Sequence, residues 1–216
     1  AKEVSVINIS EGTTTKMKRI HNDGFYEILF ENKKEIFKYK LKIKTYNDII
    51  KEFYDPYSFP PILLDYDLYL INEGTHYKVY EKLGAHFKEI NGIKGIHFCV
   101  WAPNAKRVSV IGNFNNWDGR RHQMRVLGSS GVWEIFIPEL SEGEIYKFEI
   151  KSRFTNEILI KADPYAFFAE LRPKSASIVY DIDNKHNWND SEWISSRSFK
   201  NWFDSPISIY EVHFGS

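Results

Sequence analysis

Four stretches of this chain recur further along it, in the same order. Ala1-Lys2-Glu3-Val4-Ser5-Val6-Ile7 returns as Ala105-Lys106-Arg107-Val108-Ser109-Val110-Ile111, and Gly24-Phe25-Tyr26-Glu27-Ile28 returns as Gly131-Val132-Trp133-Glu134-Ile135. Ile36-Phe37-Lys38-Tyr39 returns as Ile145-Tyr146-Lys147-Phe148, and Asp55-Pro56-Tyr57-Ser58-Phe59 as Asp163-Pro164-Tyr165-Ala166-Phe167. The offsets are 104, 107, 109 and 108 residues. Order and spacing kept together mean two copies of one structural unit. Within the matches, apolar and polar residues alternate with a period of two, which is the pattern of strands. The duplication predicts two β-sandwiches in tandem. The first copy has no counterpart of residues 98–104, so its opening strand is missing. It also has Ser10-Glu11-Gly12 where the second copy has Asn115-Asn116-Trp117-Asp118-Gly119, so its loop is degenerate.

The second copy reads in more detail. Asn91-Gly92 between Ala85–Ile90 and Ile93–Trp101 is a hairpin signal. Ala102-Pro103-Asn104 breaks the next strand, since Pro lacks the N–H a ladder needs. Tyr146, Phe148 and Ile150 alternate with Lys147, Glu149 and Lys151, so the aromatics point inward and Lys147 outward. Trp133 shares a face with Ile135 and Ile137 and reads as core. Between the copies, Pro60-Pro61 stops the first sandwich. A short helix then follows, capped by Asp65, with Leu64, Leu68 and Ile71 on one face and Gly74 at its end. Beyond Asp181 the chain is polar and dotted with Trp188, Trp193 and Trp202, which reads as a linker laid against a neighbouring domain.

Composition narrows the partners. Lys plus Arg and Asp plus Glu number 29 each, giving no net charge. No long-range field attracts nucleic acid or anionic lipid, and the short Arg120-Arg121-His122 run does not change that. A neutral polymer is the better match. The 16 Phe, 13 Tyr and 6 Trp serve sandwich cores first, but aromatic faces also stack on pyranose rings. The single cysteine, Cys99, excludes an intrachain disulfide and fits a cytoplasmic setting. No apolar run is long enough to span a bilayer, and the seven His show no ligand spacing. No metal and no cofactor are expected. There is no initiator Met, and the chain is expected to begin inside a larger protein.

Trp101-Ala102-Pro103-Asn104-Ala105, Val108-Ser109-Val110-Ile111-Gly112 and Phe114-Asn115-Asn116-Trp117-Asp118-Gly119 resemble the α-glucan-binding β-sandwich of glycogen branching and debranching enzymes. A related module sits in the β subunit of AMP-activated protein kinase. Glu73-Gly74-Thr75-His76, Leu83-Gly84-Ala85-His86, Gly119-Arg120-Arg121-His122, Ala162-Asp163-Pro164-Tyr165-Ala166 and the run from Ser205 to Ser216 are similar to the 1,4-α-glucan branching enzymes in particular.

The resemblance implies an all-β fold: two tandem immunoglobulin-like sandwiches, the first incomplete, joined by a short helix, plus the first strand of a (β/α)8 barrel. The expected divisions are residues 1–61, 62–84, 85–183, 184–206 and 207–216, the last being the barrel strand. The implied activity of the parent is transfer of an α-1,4-glucan segment to a 6-hydroxyl in glycogen. Its catalytic carboxylates would lie on later barrel strands, so no catalytic residue is assigned here. Glu211 and His213 read as structural. The implied partners are α-1,4-glucan and the barrel of the same chain, with no nucleic acid and no membrane. The resemblance places sugar contacts at Trp117, Lys147 and Asn116. Trp117 has a second reading, as an anchor against the barrel. The kinase-type module has a further Trp where Ile160 stands and a binding Asn near Ala176, so at most weak binding is expected at this face. Alternative readings are a non-catalytic glycogen-sensing module, disfavoured by the barrel strand at Ile207–His213, and the module of a debranching enzyme.

Overall fold

The computed structural model describes residues 1–31, 33, 35–182 and 186–213. Ala1–Asp181 forms one compact unit and a second runs from Ile182. The first copy contains β1 (Glu3–Asn8), β2 (Thr13–Lys16), β3 (Lys18–His21), β4 (Phe25–Glu27), β5 (Tyr39–Lys44) and β6 (Ile50–Tyr54). These make a sheet of order β2-β1-β5-β6 and a separate β3-β4 ribbon. Helix α1 (Asp65–Glu73) follows. The second copy holds β7 (Gly84–Ile90), β8 (Ile93–Trp101), β9 (Ala105–Gly112), β10 (Arg125–Val126), β11 (Val132–Pro138), β12 (Ile145–Ser152), β13 (Ile158–Lys161), β14 (Phe168–Ala169) and β15 (Ser177–Ile178). One of its sheets runs β10-β11-β8-β7. The other runs β13-β12-β15-β14, with β9 also on β12.

The all-β reading holds. Phe98, Val100, Trp133 and Ile135 from the first sheet pack against Val108, Val110, Tyr146 and Phe148 from the second in one core. Each takes every second position of its strand, so alternation is what fills the space between the sheets. Trp133 lies in that core, and its Nε1–H donates to the Ala102 carbonyl at 3.1 Å. Asn91 and Gly92 both have positive φ, 55° and 81°, which is the twist a two-residue hairpin between β7 and β8 requires.

The duplication is present in the pairing. Val4 faces Ile43 and Val6 faces Leu41 across β1 and β5, as Val108 faces Ile150 and Val110 faces Phe148 across β9 and β12. Lys18 faces Glu27 as Arg125 faces Glu134. Leu41 faces Phe53 as Phe148 faces Lys161. A side-chain clasp repeats too: Tyr39 donates its hydroxyl to Asp55 at 2.7 Å, and Tyr146 to Asp163 at 2.6 Å. This registers Tyr39 on Tyr146, an offset of 146 − 39 = 107 residues, so the 109-residue offset of the third match is corrected by two. A two-residue slip leaves every side chain on its own face, so the alternating pattern alone cannot detect it.

The first copy has no strand corresponding to β8 among the described residues. Where Ile96, Phe98 and Val100 fill the second copy, the first has an open apolar trough of about 460 Å3, lined by Val6, Met17, Ile28, Phe37 and Leu41.

Other expectations need correction. Leu64, not Asp65, is the N-cap of α1, and its N–H donates to the Asp67 carboxylate at 3.3 Å. Leu64 is exposed rather than packed, whereas Leu68 and Ile71 do pack inward against Leu63, Leu83 and Leu127. Gly74 ends the helix at φ 79°. In the second unit a helix, α2 (Ser191–Ser196), stands where the sequence read only as linker. Ile207–His213 forms no ladder with any described residue. The last three residues of the expected barrel strand, Phe214, Gly215 and Ser216, lie outside the described residues, as do Asp183 and Asn184 at the expected boundary after the second sandwich.

Candidate carbohydrate-binding site

The candidate site is built on the loop after β9. Asn115 organises it. This side chain is fully buried: its Oδ1 accepts from Gly112 N–H at 3.0 Å, and its Nδ2 donates to the Val110 carbonyl and to His122 Nδ1, both at 2.9 Å. An imidazole nitrogen that accepts must be unprotonated. Burial, helped by the charge of Arg121, pushes the His122 pKa down to about 4, so the ring stays neutral and keeps the bond. Phe114 packs under the loop against Phe98 and His122. Gly119 lies so close to the Glu149 carboxylate that a Cβ there would meet its oxygens at 2.3 to 2.5 Å. The loop is therefore laid over the outer face of β12, where Glu149 is itself paired with Arg107.

This bracket holds Asn116 and Trp117 in the left-handed region, at φ 57° and 59°. For a bulky L-residue that conformation is uncommon and costs about 1–2 kcal/mol. Three hydrogen bonds hold it. Asn116 N–H donates to the Asn113 carbonyl at 3.2 Å, Trp117 N–H to the Gly112 carbonyl at 2.9 Å, and the Trp117 indole N–H to Asn113 Oδ1 at 3.0 Å. The indole is 40% exposed, and Asn116 is exposed beside it. Asp118 and Arg120 form a bidentate pair at 2.8 Å on both contacts. That guanidinium holds the Asp118 carboxyl well below the usual carboxylate range.

Lys147 stands opposite Ile111 on β12, next to Gly112 and so at the root of the Trp117 loop. Its Nζ donates to Ser175 Oγ at 2.8 Å and the side chain is half-buried. Ile160 lies across β13, opposite Glu149, and is exposed. Ala176 is buried and presents no polar side chain.

The buried acids serve the scaffold. Glu134 holds His97 and the amides of Ile62 and Leu63. Asp163 holds Tyr146 and the Tyr165 amide. Asp67 holds His76, Lys82 and the Leu64 amide. Cys99 is buried, and burial pushes its thiol well up, so it offers no thiolate. No group of three or more His, Cys, Asp or Glu placed to hold a metal ion occurs among the described residues. No helix among them is long and apolar enough to cross a membrane.

The sequence marks Asn115 and Gly119 as part of the loop without their roles and does not mark Asn113, and all three shape it. The signal was the density of Asn and Gly around Trp117, which marks a turn without saying which Asn is buried. Sequence reasoning missed Tyr57, whose hydroxyl meets Gln123 N–H and which no local pattern ties to this loop.

Known proteins share this organisation. Residues 1–57 match the model of the alpha-1,4-glucan branching enzyme GlgB N-terminal domain, and residues 82–166 match carbohydrate-binding module 48 (isoamylase N-terminal domain). The chain is 48% identical over its whole length to the 1,4-alpha-glucan branching enzyme GlgB of Trichodesmium erythraeum, covering 27% of that protein. It is 51% identical to that of Nostoc sp. over 93% of the chain and 26% of the protein. To the Rubrobacter xylanophilus enzyme it is 46% identical over its whole length, covering 29%. The chain thus spans between a quarter and a third of the length of the curated relatives it matches. With the family's N-terminal domain and its carbohydrate-binding module in sequence, and whole-length identity well above chance, the chain belongs to the 1,4-alpha-glucan branching enzyme (GlgB) family, in its N-terminal region.

Proposed function

We propose that this chain is the glucan-positioning part of a branching enzyme that moves an α-1,4-linked segment onto a 6-hydroxyl of glycogen. One observation carries the reading. Trp117 is a large aromatic side chain held exposed in a costly backbone conformation by a bracket of hydrogen bonds. Its face stacks on the apolar C–H face of a glucose ring, while Lys147 and Asn116 donate to ring hydroxyls. Stacking on one platform is worth roughly 0.5–1.5 kcal/mol beyond area burial. With Ile160 in place of a second platform, affinity for maltoheptaose is on the order of millimolar.

No acid in this chain is assigned a catalytic role, since each buried one is committed to a structural partner. The chain alone is expected to leave the iodine colour and reducing ends of amylose unchanged. The second unit exposes Trp188, Phe199 and Phe203, and we assign these uncovered aromatics to contact with the catalytic barrel. The buried free thiol of Cys99 supports a cytoplasmic setting.

The test is a maltoheptaose titration followed by tryptophan fluorescence and NMR shifts. Trp117→Ala is expected to abolish the response with little change in melting temperature. A response that survives Trp117→Ala sinks the assignment. No response in the unmodified chain favours Trp117 as an anchor against the barrel, and the same substitution then destabilises only the longer enzyme.

A further inference from the structure

The return leg of the Trp117 loop is an edge. Val110 N–H donates to the His122 carbonyl at 3.1 Å and Met124 N–H to the Val108 carbonyl at 2.8 Å, so these groups of residues 122–124 face β9. The Arg121 carbonyl and Gln123 N–H face the other way. Both are met by one side chain from the other copy. Tyr57 Oη accepts from Gln123 N–H at 2.9 Å and donates to the Arg121 carbonyl at 3.4 Å. Tyr57 is in turn fixed at its own backbone, where its N–H donates to the Asp55 carboxylate at 3.0 Å. Two further struts set the same segment against the second copy. Arg125 donates to the Phe59 carbonyl at 2.7 Å, and Phe59 packs edge-on to Phe136 with ring centroids 4.8 Å apart.

We propose that Tyr57 is a positioning residue for the Trp117 loop, so that the first copy, whose own loop is degenerate, sets the glucan-facing loop of the second. The chemistry is that of a strand edge. A phenol that both donates and accepts takes the place of a neighbouring strand at two consecutive outward groups and fixes the leg on which His122 sits. His122 then presents Nδ1 to Asn115, and Asn115 sets the turn that carries Trp117. The inference rests on the glucan-face reading only for its sugar measurement.

The test is Tyr57→Phe, which keeps the ring and removes the hydroxyl. Native-state hydrogen exchange is measured by NMR on the whole chain, with the Val6 and Ile7 amides of the central strand β1 as references. Exchange at Gln123 and through residues 115–117 is expected to quicken roughly threefold to tenfold, with the references unmoved. Maltoheptaose binding is expected to weaken by a similar factor at an almost unchanged melting temperature, which a merely structural hydroxyl would not produce. Unchanged exchange at Gln123, or a uniform rise that includes the references, overturns the proposal. If the unmodified chain shows no sugar response, the glucan reading fails and the exchange result alone decides on Tyr57. If it responds and Tyr57→Phe responds equally, the positioning role fails while the glucan reading stands.

Discussion

Replacing Glu134 with Ala is expected to remove about 3–5 kcal/mol of folding stability, since buried groups left without a hydrogen-bond partner cost about 1–3 kcal/mol each. Glu134 is 2% exposed on β11. Its carboxylate meets His97 Nε2 at 2.9 Å and accepts from Ile62 N–H at 3.0 Å and Leu63 N–H at 3.2 Å. Deleting it orphans a buried imidazole and two amides of the segment that joins the copies. Glu134→Gln keeps the volume but has one acceptor oxygen instead of two, and should cost about 1–3 kcal/mol. Burial by itself would raise this carboxyl. The His97 bond and the two amides outweigh it, and the folded pKa is lowered. The sign follows. A lowered folded pKa gives stability that is full above the unfolded value of about 4.3 and lost as pH falls through the folded value. Urea unfolding at a series of pH values checks both parts. A loss under 1 kcal/mol for Glu134→Ala at neutral pH would show that the bracket contributes little.

What the sequence disclosed was what depends on neighbours along the chain. Alternation put Phe98, Val110, Tyr146 and Trp133 in the core, and Asn91-Gly92 made the hairpin, because both are set by local backbone geometry. The repeat showed the duplication, since each copy repeats its own pattern. What stayed hidden depends on contacts distant in sequence or on degenerate signals. Asp65 and Asp67 look alike as helix-start acids, and only the path of Leu64 decides that Asp67 receives its amide. Asn115 and Asn116 look alike in sequence as turn formers, yet one is buried and the other exposed, while Asn113, which no motif marks, holds the indole. Tyr57 grips residues 121–123 across a separation no pattern spans. The helix at Ser191–Ser196 has Asp190 and Glu192 at its start, but six residues are too few to show a helical period.

Asp163→Ala is the second large effect, and its twin in the first copy supplies the internal control. Asp163 is 6% exposed and accepts from a fully buried phenol, Tyr146, and from the Tyr165 N–H at 2.8 Å. Removing it leaves two groups unpartnered at about 1–3 kcal/mol each, hence a loss of roughly 2–6 kcal/mol. Asp55 makes the same two bonds, to Tyr39 and the Tyr57 N–H, but in a half-exposed setting where water replaces it. Asp55→Ala should cost only about 0.5–1.5 kcal/mol. The pH dependence then separates Asp163 from Glu134. Burial raises the Asp163 pKa against the lowering effect of its two donors. A raised folded pKa gives stability that is full below the unfolded value of about 3.9 and lost as pH rises through the folded value. On acidification through that window, the gap between wild type and Asp163→Ala should therefore widen, while the gap for Glu134→Ala narrows. Both are buried carboxylates held by two or more donors, and burial alone would move them together. They part because Glu134 has an imidazole for company and Asp163 only neutral donors. Gaps that move in the same direction on acidification would overturn that account.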